Sequence, residues 1–310
     1  MEGSEYMKLG MLTSILSEQT FKEVIDIASQ LGFRSIEAAS WPQERAERRY
    51  AGVSHVNVSG MDESKAKFYK DYCSEHDVEI AALAYYPNYL DHNQEKRQKK
   101  IQHLLQVIDV AVLLDCNTVT TFIGRDHTKN IEENFELFMD IWPSVIQYAE
   151  KKQVRIAIEN CPMLFDETQW PGGQNLAISP QIWRRMFRAI PSRFFGLCYD
   201  PSHFIWQQMD YIRPLDEFRE KIFHVHCKDI KVNRDKLNDK GILAYPLEYM
   251  SPKLPGLGDV NWAGFISKLT DIGYNENVCV EIEDKAFESG KEDIIKSLTL
   301  SKRYLEQFVI

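Results

Sequence analysis

Positive charge is scarce in this chain: 37 lysines and arginines stand against 46 aspartates and glutamates, a formal net charge of -9 at pH 7 over 310 residues. Nucleic-acid backbones are held mainly by clustered Lys and Arg, and no basic stripe occurs here, so no nucleic-acid partner is expected. Long apolar runs are missing too. No stretch reaches the roughly 18 residues that a membrane span requires, and the opening Met1-Glu-Gly-Ser-Glu-Tyr6 is acidic and polar, unlike a secretion signal. The expectation is a cytoplasmic protein with no membrane partner. The six cysteines, at 73, 116, 161, 198, 227 and 279, form no C-x-x-C pair. That speaks against thiol-held structural zinc and for reduced, mostly buried thiols rather than a disulfide framework. There is no low-complexity segment and no break in composition, which suggests one domain over 1–310.

What is plentiful is one repeated plan: a short apolar strand, a loop, an amphipathic helix, then a turn into the next strand. Strands are expected at 8–12, 34–38, 79–84, 117–122, 154–159, 194–200, 222–228 and 277–283. Thr20 with Glu23 makes a capping box, and Gly32 stops the helix it opens. Further helices are expected over about 62–76, 94–115 and 131–152, and Ser179-Pro180 places proline at the first position of another. Strands apolar on both faces, alternating with helices, describe a parallel sheet covered by helices. Eight units of about 39 residues fit a (β/α)8 TIM barrel with a few long loops. The longest insertion, 230–259, is rich in charge and proline and ends in Pro255-Gly-Leu-Gly-Asp259. Its glycines do not follow a strand, which rules out a dinucleotide cradle and leaves a lid or rim over the barrel mouth.

The strand Phe223-His-Val-His-Cys-Lys-Asp229 is too polar for a plain core element. Alternation puts His224, His226 and Lys228 on one face and Phe223, Val225 and Cys227 on the other. Barrels keep their chemistry at the C-terminal ends of strands. Those ends supply Glu159, Asp200, His226 and Glu281 on four consecutive strands, each interval consistent with one βα unit. One acidic residue ending a strand is as often a helix cap or a surface charge. Four together, three carboxylates and one imidazole, make a metal site suited to Mn2+, with Mg2+, Co2+ or Zn2+ as alternatives.

Lesser candidates surround them. His203 is placed to contact substrate or act as an acid, or else makes a structural hydrogen bond. His224 lies one layer beneath His226, as a support or a core histidine. Lys228 and Asp229 either hold a substrate oxygen or pair with neighbours. Cys198 and Cys279 lie one layer beneath proposed ligands. Arg125, Asp126 and His127 form a charged run after the fourth strand, as a solvated loop or as substrate contacts, with His127 a candidate acid. Trp41, Tyr85 and Tyr86 end strands two and three and either wall a sugar or simply pack. Asn160, next to Glu159, is a further candidate for substrate contact.

At these residues the chain resembles the sugar phosphate isomerase/epimerase superfamily, the xylose isomerase-like barrels. The resemblance covers essentially the whole chain. It is carried by Ile156-Ala-Ile-Glu-Asn160, Tyr199-Asp-Pro-Ser-His203, His224-Val-His-Cys-Lys-Asp229, Pro255-Gly-Leu-Gly-Asp-Val-Asn-Trp262 and Val280-Glu-Ile-Glu-Asp284. It implies that Glu159, Asp200, His226 and Glu281 hold a divalent metal and that His203 lies near substrate. The chain departs from the ketose 3-epimerases at Val232, where they carry an arginine, and at Phe165, where they carry a glutamate. Endonuclease IV, of the same superfamily, uses a histidine-rich trinuclear zinc site unlike this ligand set. Arg48-Arg-Tyr-Ala-Gly52, Asn160-Cys-Pro-Met163 and Trp170-Pro-Gly-Gly173 are also similar to the α subunits of C-glycoside deglycosidases, lyases that work with a small β subunit on 3-oxo-glucosides.

The expected activity is therefore metal-dependent removal of an α proton from a sugar or keto-sugar, giving an enediolate. Reprotonation makes an isomerase or epimerase. Loss of a β leaving group makes a lyase, of the C-glycoside deglycosidase or inosose dehydratase type. Glu159 and Glu281 are the candidate bases, and His203, His127 and Lys228 the candidate acids. A non-catalytic sugar-binding subunit is the alternative from another class, and the expected assembly is a homo-oligomer or a hetero-oligomer with a small β subunit.

Overall fold

A computed structural model describes residues 6–43, 50–164 and 167–309. Its elements run β1 (Lys8–Leu12), α1 (Phe21–Leu31), β2 (Ser35–Ala39), α2 (Glu63–Glu75), β3 (Glu79–Ala84), α3 (Gln94–Leu113), β4 (Thr118–Thr121), α4 (Ile131–Lys152), β5 (Arg155–Glu159), α5 (Pro180–Ala189) and β6 (Phe195–Tyr199). Two short helices follow, α6 (Ser202–Trp206) and α7 (Arg213–Glu217), then β7 (Ile222–Cys227). After them come β8 (Asp229–Val232), α8 (Arg234–Lys240), β9 (Met250–Lys253), α9 (Trp262–Asp271), β10 (Asn277–Val280) and α10 (Lys291–Leu305). Eight strands close in the order β1-β10-β7-β6-β5-β4-β3-β2, all parallel, so the (β/α)8 barrel expected from the alternating pattern is what forms. Among the described residues no helix is long and apolar enough to cross a membrane.

Each strand divides its side chains between two layers. Ile156, Ile158, Leu197, Tyr199, Val225, Cys227, Val278 and Val280 join the large core between barrel and helices. Their alternate neighbours face the barrel axis, and there the polar residues collect. The capping box at Thr20 is present, with both reciprocal hydrogen bonds, and Gly32 ends α1 in the left-handed conformation at φ 79°.

The alternation expected for the seventh strand fails at one residue. The β6–β7 register jumps so that Leu197 faces Ile222 and Cys198 faces His224, leaving Phe223 as an extra residue. Such a bulge turns a side chain off its normal face. Phe223 accordingly packs with Ala157 and Cys198 instead of lying with Val225 and Cys227. Gly196 makes room for it, since a Cβ there would meet the Phe223 ring at 2.5 Å and the Lys221 carbonyl oxygen at 2.3 Å.

The insertion after β7 is an antiparallel hairpin, β8 with β9, that carries α8 in its connection. Asp229 anchors it. Its Oδ1 accepts from the backbone N–H of Ile230 (2.8 Å) and Val260 (3.1 Å), and its Oδ2 from Gly256 (2.9 Å), Gly258 (3.2 Å) and Trp262 Nε1 (2.9 Å). Asp229 thus pins the Pro255–Trp262 turn and is not turned toward a substrate. Burial raises its pKa, against the opposing pull of these donors. In an Asp229→Asn protein an amide N–H faces a row of N–H donors. We expect unfolding by urea to show a loss of about 3 kcal/mol, in the range for breaking a buried polar network, and an unchanged midpoint would refute the anchoring role.

Candidate metal centre

Glu159 is the last residue of β5, Asp200 follows β6, His226 lies in β7 and Glu281 follows β10. The closed barrel carries all four to one point on its axis, where each offers a ligand atom and all four atoms lie within 4.8 Å of one another. Glu159 Oε1, Asp200 Oδ2 and His226 Nδ1 are buried with no hydrogen-bond partner among the described residues. Buried polar atoms are rarely left this way, because each costs free energy unless something satisfies it. The buried Lys228 ammonium meets three buried carboxylates there, Glu281 at 3.0 Å, Asp200 at 3.1 Å and Glu159 at 3.7 Å. The orphaned atoms and the oxygen-rich donor set fit a divalent cation bound by Glu159, Asp200, His226 and Glu281.

His226 is held in place from behind. Its Nε2 lies 2.7 Å from Glu37 Oε2, which leaves Nδ1 turned toward Glu281 Oε2 at 3.1 Å. The same Glu37 oxygen meets His224 Nε2 at 2.9 Å, while Glu37 Oε1 accepts from Tyr86 Oη and Thr120 Oγ1, both at 2.6 Å. This is how a carboxylate fixes which imidazole nitrogen ligates a metal. Burial alone raises the Glu37 pKa, but His226 and His224 outweigh it and hold the carboxyl well below its usual range. Glu37 and Tyr86 were not among the residues singled out as ligand supports. The available signal was one carboxylate in the otherwise small or apolar run Ser35-Ile-Glu-Ala-Ala39.

The titratable groups at the point of convergence push one another apart. Burial raises Glu159, yet the Lys228 ammonium and the nearby His203 and His226 imidazoles outweigh it and hold it at about 2. Glu281 is raised, by burial first and then by Glu159, against the opposing pull of Lys228 and His226. Lys228 Nζ lies 3.0 Å from Glu281 Oε2, 3.1 Å from Asp200 Oδ2 and 3.6 Å from Glu283 Oε2. Burial disfavours its charge, but these carboxylates raise its pKa well above normal. His203 Nε2 lies 3.2 Å from Asp200 Oδ2 and 3.4 Å from Glu159 Oε1, and neither ring nitrogen has a hydrogen-bond partner among the described residues.

The other expected site residues are placed elsewhere. Asn160 clamps Asp200 by its backbone, donating to the carbonyl oxygen at 2.9 Å and accepting from the N–H at 2.8 Å. Tyr85 turns outward against Trp41 and His103, with ring centroids at 5.0 and 4.5 Å, and Tyr86 faces the axis beside Phe122 instead. Arg125 donates to the Gly172 carbonyl oxygen at 2.7 Å, joining two loops. Asp126 caps its own turn through Thr128, and His127 is exposed, so neither is brought to the centre. Cys279 does lie beneath the ligands, within reach of Glu37 and His224. Arg48, Arg49 and Phe165 fall outside the described residues.

A cavity of about 480 Å³ opens above the cluster. His203, Lys228 and Glu283 reach into it from the cluster, and the hairpin supplies Ile230, Leu247 and Met250. Glu283 was also missed, although Val280-Glu-Ile-Glu-Asp284 alternates it onto the face of Glu281.

A family model described as a xylose isomerase-like TIM barrel matches residues 25–304. Inosose dehydratase of Lactiplantibacillus plantarum is 23% identical over 226 residues, 70% of each chain. D-psicose 3-epimerase of Clostridium cellulolyticum H10, solved with D-tagatose, superposes with a TM-score of 0.67 at 14% identity over 97% of this chain and 99% of that one. The IOLI protein, solved with a zinc atom, gives a TM-score of 0.71 at 16% identity, again over 97% and 99%.

Proposed function

The chain belongs to the xylose isomerase-like TIM barrel family, and from that premise we propose that it is a divalent-metal-dependent enzyme removing a proton beside the carbonyl of a sugar or keto-sugar, as an isomerase or epimerase. The observation that carries this is the convergence of Glu159 Oε1, Asp200 Oδ2, His226 Nδ1 and a Glu281 oxygen, three of them buried without hydrogen-bond partners among the described residues. An ion held there, Mn2+ by preference for an oxygen-rich set, supplies Lewis-acid stabilisation of the charge that develops on a carbonyl oxygen. The chain's own residues move the protons. Glu159 and Glu281, whose oxygens converge from two sides of the cluster, are the two carboxylates proposed as base. Lys228 and His203, which line the cavity, are placed to return a proton or to hold the enediolate oxygen.

A second reading, elimination of a β leaving group, is favoured by one position. Val232, where the ketose 3-epimerases carry an arginine, is buried in the hairpin and hydrogen-bonded through its N–H to Asp259, so it offers substrate no charge. Copurification with a small partner protein would favour this reading.

The test is metal analysis, then incubation with free ketoses and with a 3-oxo-glycoside, following epimer and released aglycone. Stripping the metal should remove turnover by at least ~100-fold and Mn2+ should restore it. Full activity of the stripped protein would sink the proposal, and inertness of the metal-loaded protein toward both substrates would favour a binding subunit.

A further inference from the structure

The four-ligand cluster leaves two neighbouring side chains without a task. His203, in α6, is only 7% exposed, yet neither of its ring nitrogens has a hydrogen-bond partner among the described residues. A buried imidazole needs a partner at each nitrogen. An ion held by Glu159, Asp200, His226 and Glu281 satisfies the orphaned atoms of those residues and does nothing for His203. Cys161 is the other. It stands two residues past Glu159, half-buried, and lines the cavity together with His203. Glu159, Cys161 and His203 each offer a ligand atom, and these three atoms also lie within 4.8 Å of one another.

The chain around them is firmly held. Asn175, fully buried, donates through Nδ2 to the carbonyl oxygens of Glu159 (2.9 Å) and Cys161 (2.8 Å), which fixes the backbone between the two side chains. The Met163 N–H donates to Cys161 Sγ at 3.4 Å, so the sulfur already acts as an acceptor. A carboxylate has two oxygens and can join two ions, so Glu159 serves both groups at once. One sulfur, one imidazole nitrogen and one carboxylate oxygen make a softer set than the oxygen-rich one beside it, suited to Zn2+ or Co2+ rather than Mn2+. We propose that Glu159, Cys161 and His203 bind a second divalent cation, of the Zn2+ or Co2+ kind, next to the first. Its binding forms a metal–sulfur bond and releases the thiol proton to solvent. Three protein ligands leave a further position for water or a substrate oxygen. Lys228 Nζ lies 3.7 Å from Glu159 Oε1, so its charge opposes the second ion and makes this the weaker site.

The experiment loads metal-free protein with Co2+ and reads ions per chain by elemental analysis, together with the near-ultraviolet band that a thiolate gives on ligating Co2+. The parent should hold two ions and show the band. Cys161→Ser should lose the band, and both it and His203→Ala should bind the second ion at least ~10-fold more weakly while keeping the first. The retained ion shows that each variant is folded. Cys279→Ser is the control, because Cys279 forms another group of this kind with Glu37 and His224, and it should keep the band. One ion per chain in the parent, no band, or a band that survives Cys161→Ser overturns the proposal. Mn2+ uptake reports the first centre and the band reports sulfur, so failure of the enediolate reading and failure of this one are separate results.

Discussion

A Glu281→Ala protein is expected to fold, to lose most of its bound metal and to show no measurable turnover, a fall of at least ~1,000-fold, since it removes a ligand and a candidate base together. The stability readout separates this from simple unfolding. Burial and Glu159 raise the Glu281 pKa in the folded protein, so its folded state favours the proton. For an acid shifted in this direction, the stabilising contribution is present at low pH and is lost as pH rises into the shifted range. As pH rises through that range the ionising side chain therefore works increasingly against the fold when no metal is present. The metal-free alanine variant should melt no lower than the metal-free parent. Added Mn2+ should raise the melting temperature of the parent and not of the variant, because only a ligand that binds the native state shifts the equilibrium. A lower melting temperature for the metal-free variant would show that Glu281 holds the barrel together instead.

Glu37→Gln removes no proposed ligand yet should weaken metal binding about 10–100-fold, the usual effect of removing a carboxylate behind a ligating histidine. One oxygen of Glu37 serves His224 and His226 at 2.9 and 2.7 Å, and the amide that replaces it can accept there only by turning its N–H2 toward the hydroxyls of Tyr86 and Thr120. Breaking a buried charged pair also costs roughly 3 kcal/mol of stability. The pH dependence follows from the depressed Glu37 pKa. The parent's advantage should be full above the ordinary glutamate pKa of 4.5 and should fade as pH falls toward the lower folded value. Metal competition titrations and urea unfolding at several pH values measure both effects. Parent-like metal affinity in the glutamine variant would remove Glu37 from the site.

The regular parts of the barrel were legible because strand and helix periodicity are local properties. The capping box at Thr20, the stop at Gly32 and the helix over Ile131–Lys152 depend on residues within a turn or two of one another. The four candidate ligands were legible for a related reason. Once the fold is a barrel, the C-terminal end of a strand is a known place, and Glu159, Asp200, His226 and Glu281 occupy it on neighbouring strands.

Closure of the barrel decided the rest, because it joins residues whose separation in the chain carries no signal. Glu37 and His226 are 189 positions apart yet meet at 2.7 Å. Tyr86 rather than Tyr85 faces the axis, and a single extra residue at Phe223 overrides the alternation of its strand. His127 and Asn160 stand beside the right strands but are turned to solvent and to the backbone of Asp200. The amino-acid sequence alone determined the eightfold plan and the chemical kind of its centre, since both rest on residue type and period. Which side chains converge, and which nitrogen of His226 is left for a metal, was decided only by the tertiary structure, because orientation at a few ångströms is set by long-range contacts.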